Sequence, residues 1–124
     1  MYLALTGSRL KAADLMYSQI ATHFVPSELL PELTDRLEQL EAPPEQMSQS
    51  IEMALEEVSS MPPGESALQQ NRTAIDKHFG GASVEEILAS LDADSGEWAS
   101  KHAGMLRHMS PTSLKITHRQ VSIC

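Results

Sequence analysis

Length, composition and charge limit the classes of protein that this chain can form. It has 124 residues, of which 41% are hydrophobic and 4% aromatic, and a formal net charge of −8. This size allows one domain at most, or part of a larger one, with a core of mainly aliphatic side chains. The acidic balance argues against nucleic acid and anionic membranes as partners. No apolar run approaches the roughly 20 residues that cross a bilayer.

The single cysteine and the N-terminus indicate where the protein resides. Cys124 is the only cysteine, so no disulfide forms within the chain and we expect an intracellular location. That location would be the cytoplasm of a bacterium or the mitochondrial matrix of a eukaryote. Met1 leads directly into a structured pattern, so no secretory signal is expected. We do not expect Cys124 to be a reactive thiol.

The N-terminal residues predict two helices and a short strand. The first helix ends at Gly7, which can adopt the left-handed conformation of a helix C-terminus. Residues 12–18 contain good helix formers, with Leu15 and Met16 as apolar anchors. Residues 22–25 are β-branched and aromatic and precede Pro26, which predicts one short buried strand.

Apolar residues at helical spacing predict further helices along the rest of the chain. Ser83 and Glu86 match a capping box at the start of one of them, and Ser110 can cap the last one, with Pro111 in its first turn. Three β-branched residues weaken the continuation of that last helix over residues 114–121. The other predicted helices cover residues 29–40, with Pro31 in the first turn, and residues 45–59, 67–79, 84–91 and 98–109.

A single strand among helices has a structural consequence. Each buried backbone group of a strand that lacks a partner costs about 1–3 kcal/mol. The strand predicted at residues 22–25 therefore needs a sheet that this chain does not encode. We expect the chain to be the C-terminal part of a larger fold.

Several motifs resemble one known family. Residues 2–11 read Tyr-Leu-Ala-Leu-Thr-Gly-x-Arg-Leu-Lys, and residues 20–30 read Ile-Ala-Thr-His-Phe-Val-Pro-Ser-Glu-x-Leu. Both are similar to the segment after the active site in the enoyl-CoA hydratase/isomerase (crotonase) superfamily. Residues 109–117, Met-Ser-Pro-Thr-Ser-Leu-Lys-Ile-Thr, resemble a motif of its 3-hydroxyisobutyryl-CoA hydrolase branch, which Val-Glu-Glu-Ile at 84–87 also fits. Together the matches extend over nearly the whole chain.

The resemblance implies a fold and an activity. The fold class would be mainly α, as the C-terminal helical portion of a crotonase-like α/β spiral with one short strand near residues 22–25. Residues 1–25 would end the core, and residues 26–124 would form a helical region truncated at its end. The parent family hydrolyses a β-hydroxyacyl-CoA thioester of valine breakdown, with coenzyme A in the substrate and no further cofactor. Its oxyanion hole and acidic residues lie upstream, so no catalytic residue is assigned here and the isolated chain is expected to be inactive.

Lys115 is the one candidate site residue, for contact with coenzyme A phosphates. It lies in the hydrolase-branch motif near a capped helix start, although a surface lysine that supports the helix is the alternative. His102 and His108 are six residues apart and do not share a helix face, so no metal site is expected. His23 is interpreted as a structural histidine of the predicted strand. The adjacent carboxylates at 56–57 and 85–86 point in different directions and are interpreted as solvated.

Two alternative functions remain open, and the sequence departs from the family motif at one position. The chain could be a non-catalytic helical protein, derived by truncation, that acts through its apolar stripes, or part of a hydratase or isomerase. Its partners would be the missing N-terminal core, a second copy through self-association, and acyl-CoA in the complete protein. Gln19 stands where the motif favours a small residue, so we expect the turn there to differ.

Overall fold

The computed structural model describes residues 1–123, and the regular structure in that range is helical. The prediction of a mainly helical chain is therefore confirmed. Cys124, predicted to be unreactive, lies outside the described residues. The described helices are α1 (Tyr2–Thr6), α2 (Ala12–Tyr17), a 3₁₀ turn (Ser27–Leu29), α3 (Leu30–Glu38), α4 (Pro44–Val58), α5 (Ala67–Gln70), α6 (Arg72–His78), α7 (Val84–Asp92), α8 (Glu97–Arg107) and α9 (Pro111–Ile123).

The strand predicted near residues 22–25 is wrong. Residues 22–25 have no regular secondary structure, although their composition is typical of a strand. A strand forms only where a second strand accepts and donates its backbone hydrogen bonds. Here the carbonyl of Phe24 accepts a hydrogen bond from the N–H of Ser60 at 3.0 Å instead. The local pattern indicated an extended segment but could not supply its partner.

Helix ends follow the predicted signals in most places. Gly7 ends α1 with φ 60°, and its N–H donates to the carbonyl of Leu3 at 3.0 Å, as predicted. Pro31 lies in the first turn of α3, as predicted. The capping box of α7 is partial, because Ser83 Oγ accepts from the N–H of Glu86 whereas the Glu86 carboxylate accepts from the N–H of Ala82.

Two predicted helices have different extents in the structure. The helix predicted at residues 67–79 is divided into α5 and α6 at Asn71, a residue with a low helix propensity. In contrast, α9 continues to Ile123 through its β-branched residues. Its Leu114 and His118 are buried, and the packing of such a face outweighs the small difference in propensity.

Contacts divide the described chain into two units, and residues 1–9 with 70–123 form the first. Its core combines α1 with side chains of α7, α8 and α9, and Ile87, Leu91 and Leu106 are fully buried. Full burial of one such side chain stabilises a fold by roughly 1.5–3 kcal/mol. The remaining core residues are Leu5, Phe79, Val84, Ala99, Ala103 and Leu114.

The second unit, residues 10–69, contains the α3–α4 helix pair and a buried carboxylate. Asp14 is 3% exposed and accepts hydrogen bonds from the N–H of Lys11 at 3.1 Å, the N–H of Leu68 at 2.9 Å and the hydroxyl of Ser66 at 2.9 Å. Burial alone would raise the pKa of Asp14, but these hydrogen bonds lower it below the usual range. The predicted boundary between residues 25 and 26 concerns a longer protein and stays a prediction.

Gln19 generates a stability prediction. Its φ of 57° lies in the left-handed region, which costs a residue with a Cβ roughly 1–2 kcal/mol. We expect Gln19→Gly to raise the free energy of unfolding by about 0.5–1 kcal/mol, because relief of this strain exceeds the entropy gained by the unfolded glycine. Urea unfolding would measure the difference. Ala13→Gly within α2 is the control and should lower the same free energy by about 1 kcal/mol; a loss for both variants would contradict the strain argument.

Candidate functional site

Lys115 lies at a cleft in the first unit that residues of α7, α8 and α9 line. The cleft has a volume of about 250 Å³. Most of its wall is apolar, and two cationic side chains and one carboxylate complete it. Such a combination suits a ligand that has an apolar part and an anionic group. The lining residues are Val84, Glu85, Leu88, Leu106, Arg107, Met109, Pro111, Leu114 and Lys115.

The ammonium group of Lys115 already has a carboxylate partner. Its Nζ lies 2.5 Å from Oε1 of Glu85, and both side chains are more than half exposed. A hydrogen bond from Lys115 holds the pKa of Glu85 below its usual range. Exposed ion pairs contribute little to stability, so an incoming anion can compete with Glu85 for this ammonium group.

His102 links α8 to α1 through Tyr2. Its Nδ1 lies 2.7 Å from the carbonyl of Trp98, which can only accept, so Nδ1 carries the hydrogen. Its Nε2 lies 3.1 Å from the Tyr2 hydroxyl and accepts that hydrogen bond. The ring centroids of Trp98 and His102 are 3.9 Å apart. With both nitrogens engaged, this buried histidine has a structural role.

His78 lies between a serine and an aspartate. It is 2% exposed, with Nδ1 2.8 Å from Ser90 Oγ and Nε2 3.2 Å from Oδ2 of Asp94. Lys77, the N–H of Gly96 and His78 together lower the pKa of Asp94 to about 2. A catalytic serine also needs free backbone donors for an oxyanion. Because Ser90 lies near the C-terminal end of α7, where the backbone N–H groups bond inside the helix, we interpret this group as structural.

The other histidines also bond to neighbouring groups. Nε2 of His118 lies 3.0 Å from the carbonyl of Gly81, and Nδ1 of His108 lies 2.7 Å from the carbonyl of Gly104. His23 lies in the irregular segment that replaces the predicted strand, with Nδ1 2.9 Å from the hydroxyl of a neighbouring threonine. Within residues 1–123, no three histidine, aspartate or glutamate side chains are placed to hold a metal ion. The paired carboxylates at 56–57 and 85–86 are exposed.

The sequence pattern did not predict the two polar groups on which the two units depend, namely the Tyr2–His102 pair and Asp14. The hydrogen bond between Tyr2 and His102 joins residues 100 positions apart, and nothing in either local pattern predicts it. Asp14 carries a partial signal, because its carboxylate accepts from the N–H of the residue that precedes α2. An aspartate in the first turn of a helix is typical of such capping. Its bonds to residues 66–68 have no such signal.

Comparison with known proteins identifies the family. The model of the family described as enoyl-CoA hydratase/isomerase matches residues 1–124. The chain belongs to this family. It is 40% identical over 122 residues to a mitochondrial 3-hydroxyisobutyryl-CoA hydrolase of Danio rerio and 38% identical over 121 residues to that of Homo sapiens. The predicted resemblance to this branch is confirmed.

These relatives are much longer than the chain. The match covers 98% of this chain but 32% of the Danio rerio protein, so the chain spans about a third of the curated relatives it matches. A solved carnitinyl-CoA dehydratase from Mycobacterium thermoresistibile is 27% identical and superposes with a TM-score of 0.73, over 97% of this chain and 33% of that protein. Among the described residues, no helix is long and apolar enough to cross a membrane.

The link between Tyr2 and His102 generates the second prediction. We expect Tyr2→Phe and His102→Phe each to lower the free energy of unfolding by about 1–2 kcal/mol, because each leaves a polar group without its partner. The double variant should lose less than the sum, by about 0.5–1.5 kcal/mol. Urea unfolding followed by Trp98 fluorescence measures all four proteins. His108→Phe, which removes a similar bond to a carbonyl at an exposed position, should change little; strict additivity of the two substitutions would disprove the link.

Proposed function

We propose that the chain is the C-terminal part of a 3-hydroxyisobutyryl-CoA hydrolase-like enzyme. Residues 1–25 would end the catalytic core, and residues 26–124 would form the helical region that packs beside it. The observation that carries this proposal is the 40% identity over 122 residues to about one third of such a hydrolase. The names of the curated relatives support an intracellular, mitochondrial location for an animal protein of this kind.

The complete enzyme would hydrolyse a coenzyme A thioester. Water adds to the thioester carbonyl, the carbon–sulfur bond breaks, and the hydroxy acid and the thiol of coenzyme A leave. This reaction needs fixed N–H donors for the developing oxyanion and a carboxylate that moves a proton. The described histidines and buried carboxylate make structural hydrogen bonds instead. The role of this chain is therefore to complete the fold and to contact the coenzyme A part of the substrate.

We assign that contact to Lys115. Its ammonium group lies at the rim of the cleft in the first unit, in an ion pair that an anion can replace. A phosphate of coenzyme A is an anion of the right kind, since it carries more charge than a carboxylate and accepts several hydrogen bonds. The pantetheine part, which is less polar, suits the apolar wall of the cleft.

A second candidate is a non-catalytic protein that acts by association. Exposed apolar side chains on α4 and α9 favour it, because Met53 is 56% exposed and Ile116 is 60% exposed. The carnitinyl-CoA dehydratase is a less similar relative, at 27% identity against 40%, so a hydrolase is favoured over a dehydratase-like activity.

A chimeric enzyme tests the proposal. The segment of the Danio rerio hydrolase that matches this chain is replaced by residues 1–124, and free thiol release from 3-hydroxyisobutyryl-CoA is measured. We expect the chimera to retain activity within about 100-fold of the intact enzyme, allowing for small misplacements of the site. The chain alone should give none above background, because loss of even one oxyanion donor costs about 10²–10³ in rate. Turnover by the isolated chain, or a folded but inactive chimera, would contradict the proposal.

Lys115 is tested in the same chimera. Lys115→Ala should raise KM for the coenzyme A thioester about tenfold, as expected for loss of a charge-assisted hydrogen bond, and leave kcat unchanged. KM for the same acyl group on N-acetylcysteamine, which lacks the phosphates, should not change. Lys101→Ala, at an exposed lysine of α8, is the matched control. Equal changes in KM for both thioesters would show that Lys115 does not contact the phosphates.

A further inference from the structure

Two ion pairs lie along the cleft that Lys115 lines. Glu85 and Asp92 are seven residues apart on α7, which is close to two full turns, so both carboxylates are on one side of the helix. Glu85 pairs with Lys115 of α9. Asp92 pairs with Arg107 of α8. Seven residues of helix span about 10 Å, so the two pairs hold two cations at separate places along α7.

The surface between the two ion pairs is apolar. Leu88 lies three residues after Glu85 and four before Asp92, on the same side of α7, and it lines the cleft. The charged side chains of the lining are the two cations, Arg107 and Lys115, and one carboxylate, Glu85, whereas Asp92 lies outside the lining. The cleft therefore presents more positive than negative charge, and its two cations suit a ligand with two separate anionic groups.

Arg107 has hydrogen-bond donors left for such a ligand. A guanidinium group carries five N–H donors in a planar fork. Within residues 1–123, the one hydrogen bond of this group runs from Nη2 to Oδ2 of Asp92, and the side chain is 53% exposed. Nε and Nη1 are therefore available to an anion in the cleft, while Asp92 holds the guanidinium group in place. An incoming anion does not have to displace this carboxylate.

The size of the cleft limits it to one part of coenzyme A. Its volume of about 250 Å³ is below the roughly 300–1,000 Å³ of sites that enclose a whole drug-sized ligand. In coenzyme A, one ribose carries a phosphate at its 3′ position and a diphosphate at its 5′ position. Two anionic groups are thus separated by one sugar, an arrangement that suits two separate cations better than adjacent phosphates do.

We propose that Arg107 binds the 3′-phosphate of coenzyme A while Lys115 binds the 5′-diphosphate. This inference rests on the proposed function and extends it, because it makes Arg107 the residue that distinguishes coenzyme A from nucleotides without a 3′-phosphate. A terminal phosphate has three free oxygens, which suit the planar fork of a guanidinium group. The pantetheine arm leaves from the diphosphate at Lys115 and follows the apolar wall.

Two isomeric nucleotides test this assignment on the unaltered chain. Adenosine 3′,5′-bisphosphate has one phosphate on each side of the ribose, whereas adenosine 5′-diphosphate has both on the 5′ side. Binding is followed by the NMR chemical shifts of backbone amides up to about 10 mM nucleotide, a range that includes weak affinities. We expect the bisphosphate to bind about tenfold more tightly, as for one additional charge-assisted hydrogen bond, and to shift amides of α7, α8 and α9.

Variants of Arg107 show whether this residue causes the preference. Arg107→Gln should lower the affinity for the bisphosphate about tenfold and leave that for the diphosphate unchanged. Arg107→Lys keeps the charge but loses the fork, so it should retain only part of the preference. Arg72→Gln breaks another exposed arginine–aspartate pair, outside the cleft, and is the matched control that should change neither affinity.

Three outcomes would overturn the assignment of Arg107: no binding of either nucleotide, equal affinities of the unaltered chain for both, or equal losses in Arg107→Gln and Arg72→Gln. Circular dichroism is recorded first, and if Arg107→Gln loses helix, the reduced preference is required of Arg107→Lys. The chimeric enzyme separates this inference from the proposed function. An inactive chimera, with the preference of the chain intact, contradicts only the hydrolase. An active chimera in which Arg107→Gln raises KM equally for the thioesters of coenzyme A and dephospho-coenzyme A contradicts only the assignment of Arg107.

Discussion

The first unit depends on α1, a short helix that belongs to a core built by the other end of the chain. Leu5 is 2% exposed in that core, and the Tyr2 ring lies edge-on to Phe79 with centroids 5.0 Å apart. A helix of five residues is not stable alone in water. It forms here because the bundle buries it and because His102 accepts the hydrogen bond of the Tyr2 hydroxyl. Bringing α1 next to the C-terminal helices closes a long loop of the chain, which costs conformational entropy. The free energy gained by burying Leu5 and Tyr2 must exceed this cost.

The second unit is organised around a buried polar group, whereas the first unit depends mainly on the burial of apolar side chains. The Asp14 carboxylate satisfies backbone N–H groups of Lys11 and Leu68, which are far apart in the sequence. Hydrogen bonds lower the pKa of Asp14 in the folded chain, and the unfolded chain has the ordinary value. Its contribution to stability is therefore complete above the ordinary aspartate pKa and is lost as the pH falls towards the lowered value.

The parts of the fold that sequence analysis predicted are those whose causes are local. Gly7 ends α1 and Pro31 begins α3 because the conformation of a single residue suffices. The prediction of a strand near residues 22–25 failed because a strand requires a second strand as its partner. The carbonyl of Phe24 instead accepts a hydrogen bond from the N–H of Ser60. Of the candidate site, the pattern marked Lys115 but not its pairing with Glu85 across two helices. Contacts between distant residues leave no periodic signal, so the geometry of the site required the structure.

The charge of α9 and its surroundings supports the assignment of Lys115. Residues 98–123 contain two lysines, two arginines and no carboxylate, and Lys115 and Arg119 lie four residues apart on α9. The positive field of such a group of side chains favours the approach of an anion. Because Glu85 already pairs with Lys115, a bound phosphate has to displace that carboxylate, and the net gain on binding is the difference between the two ion pairs.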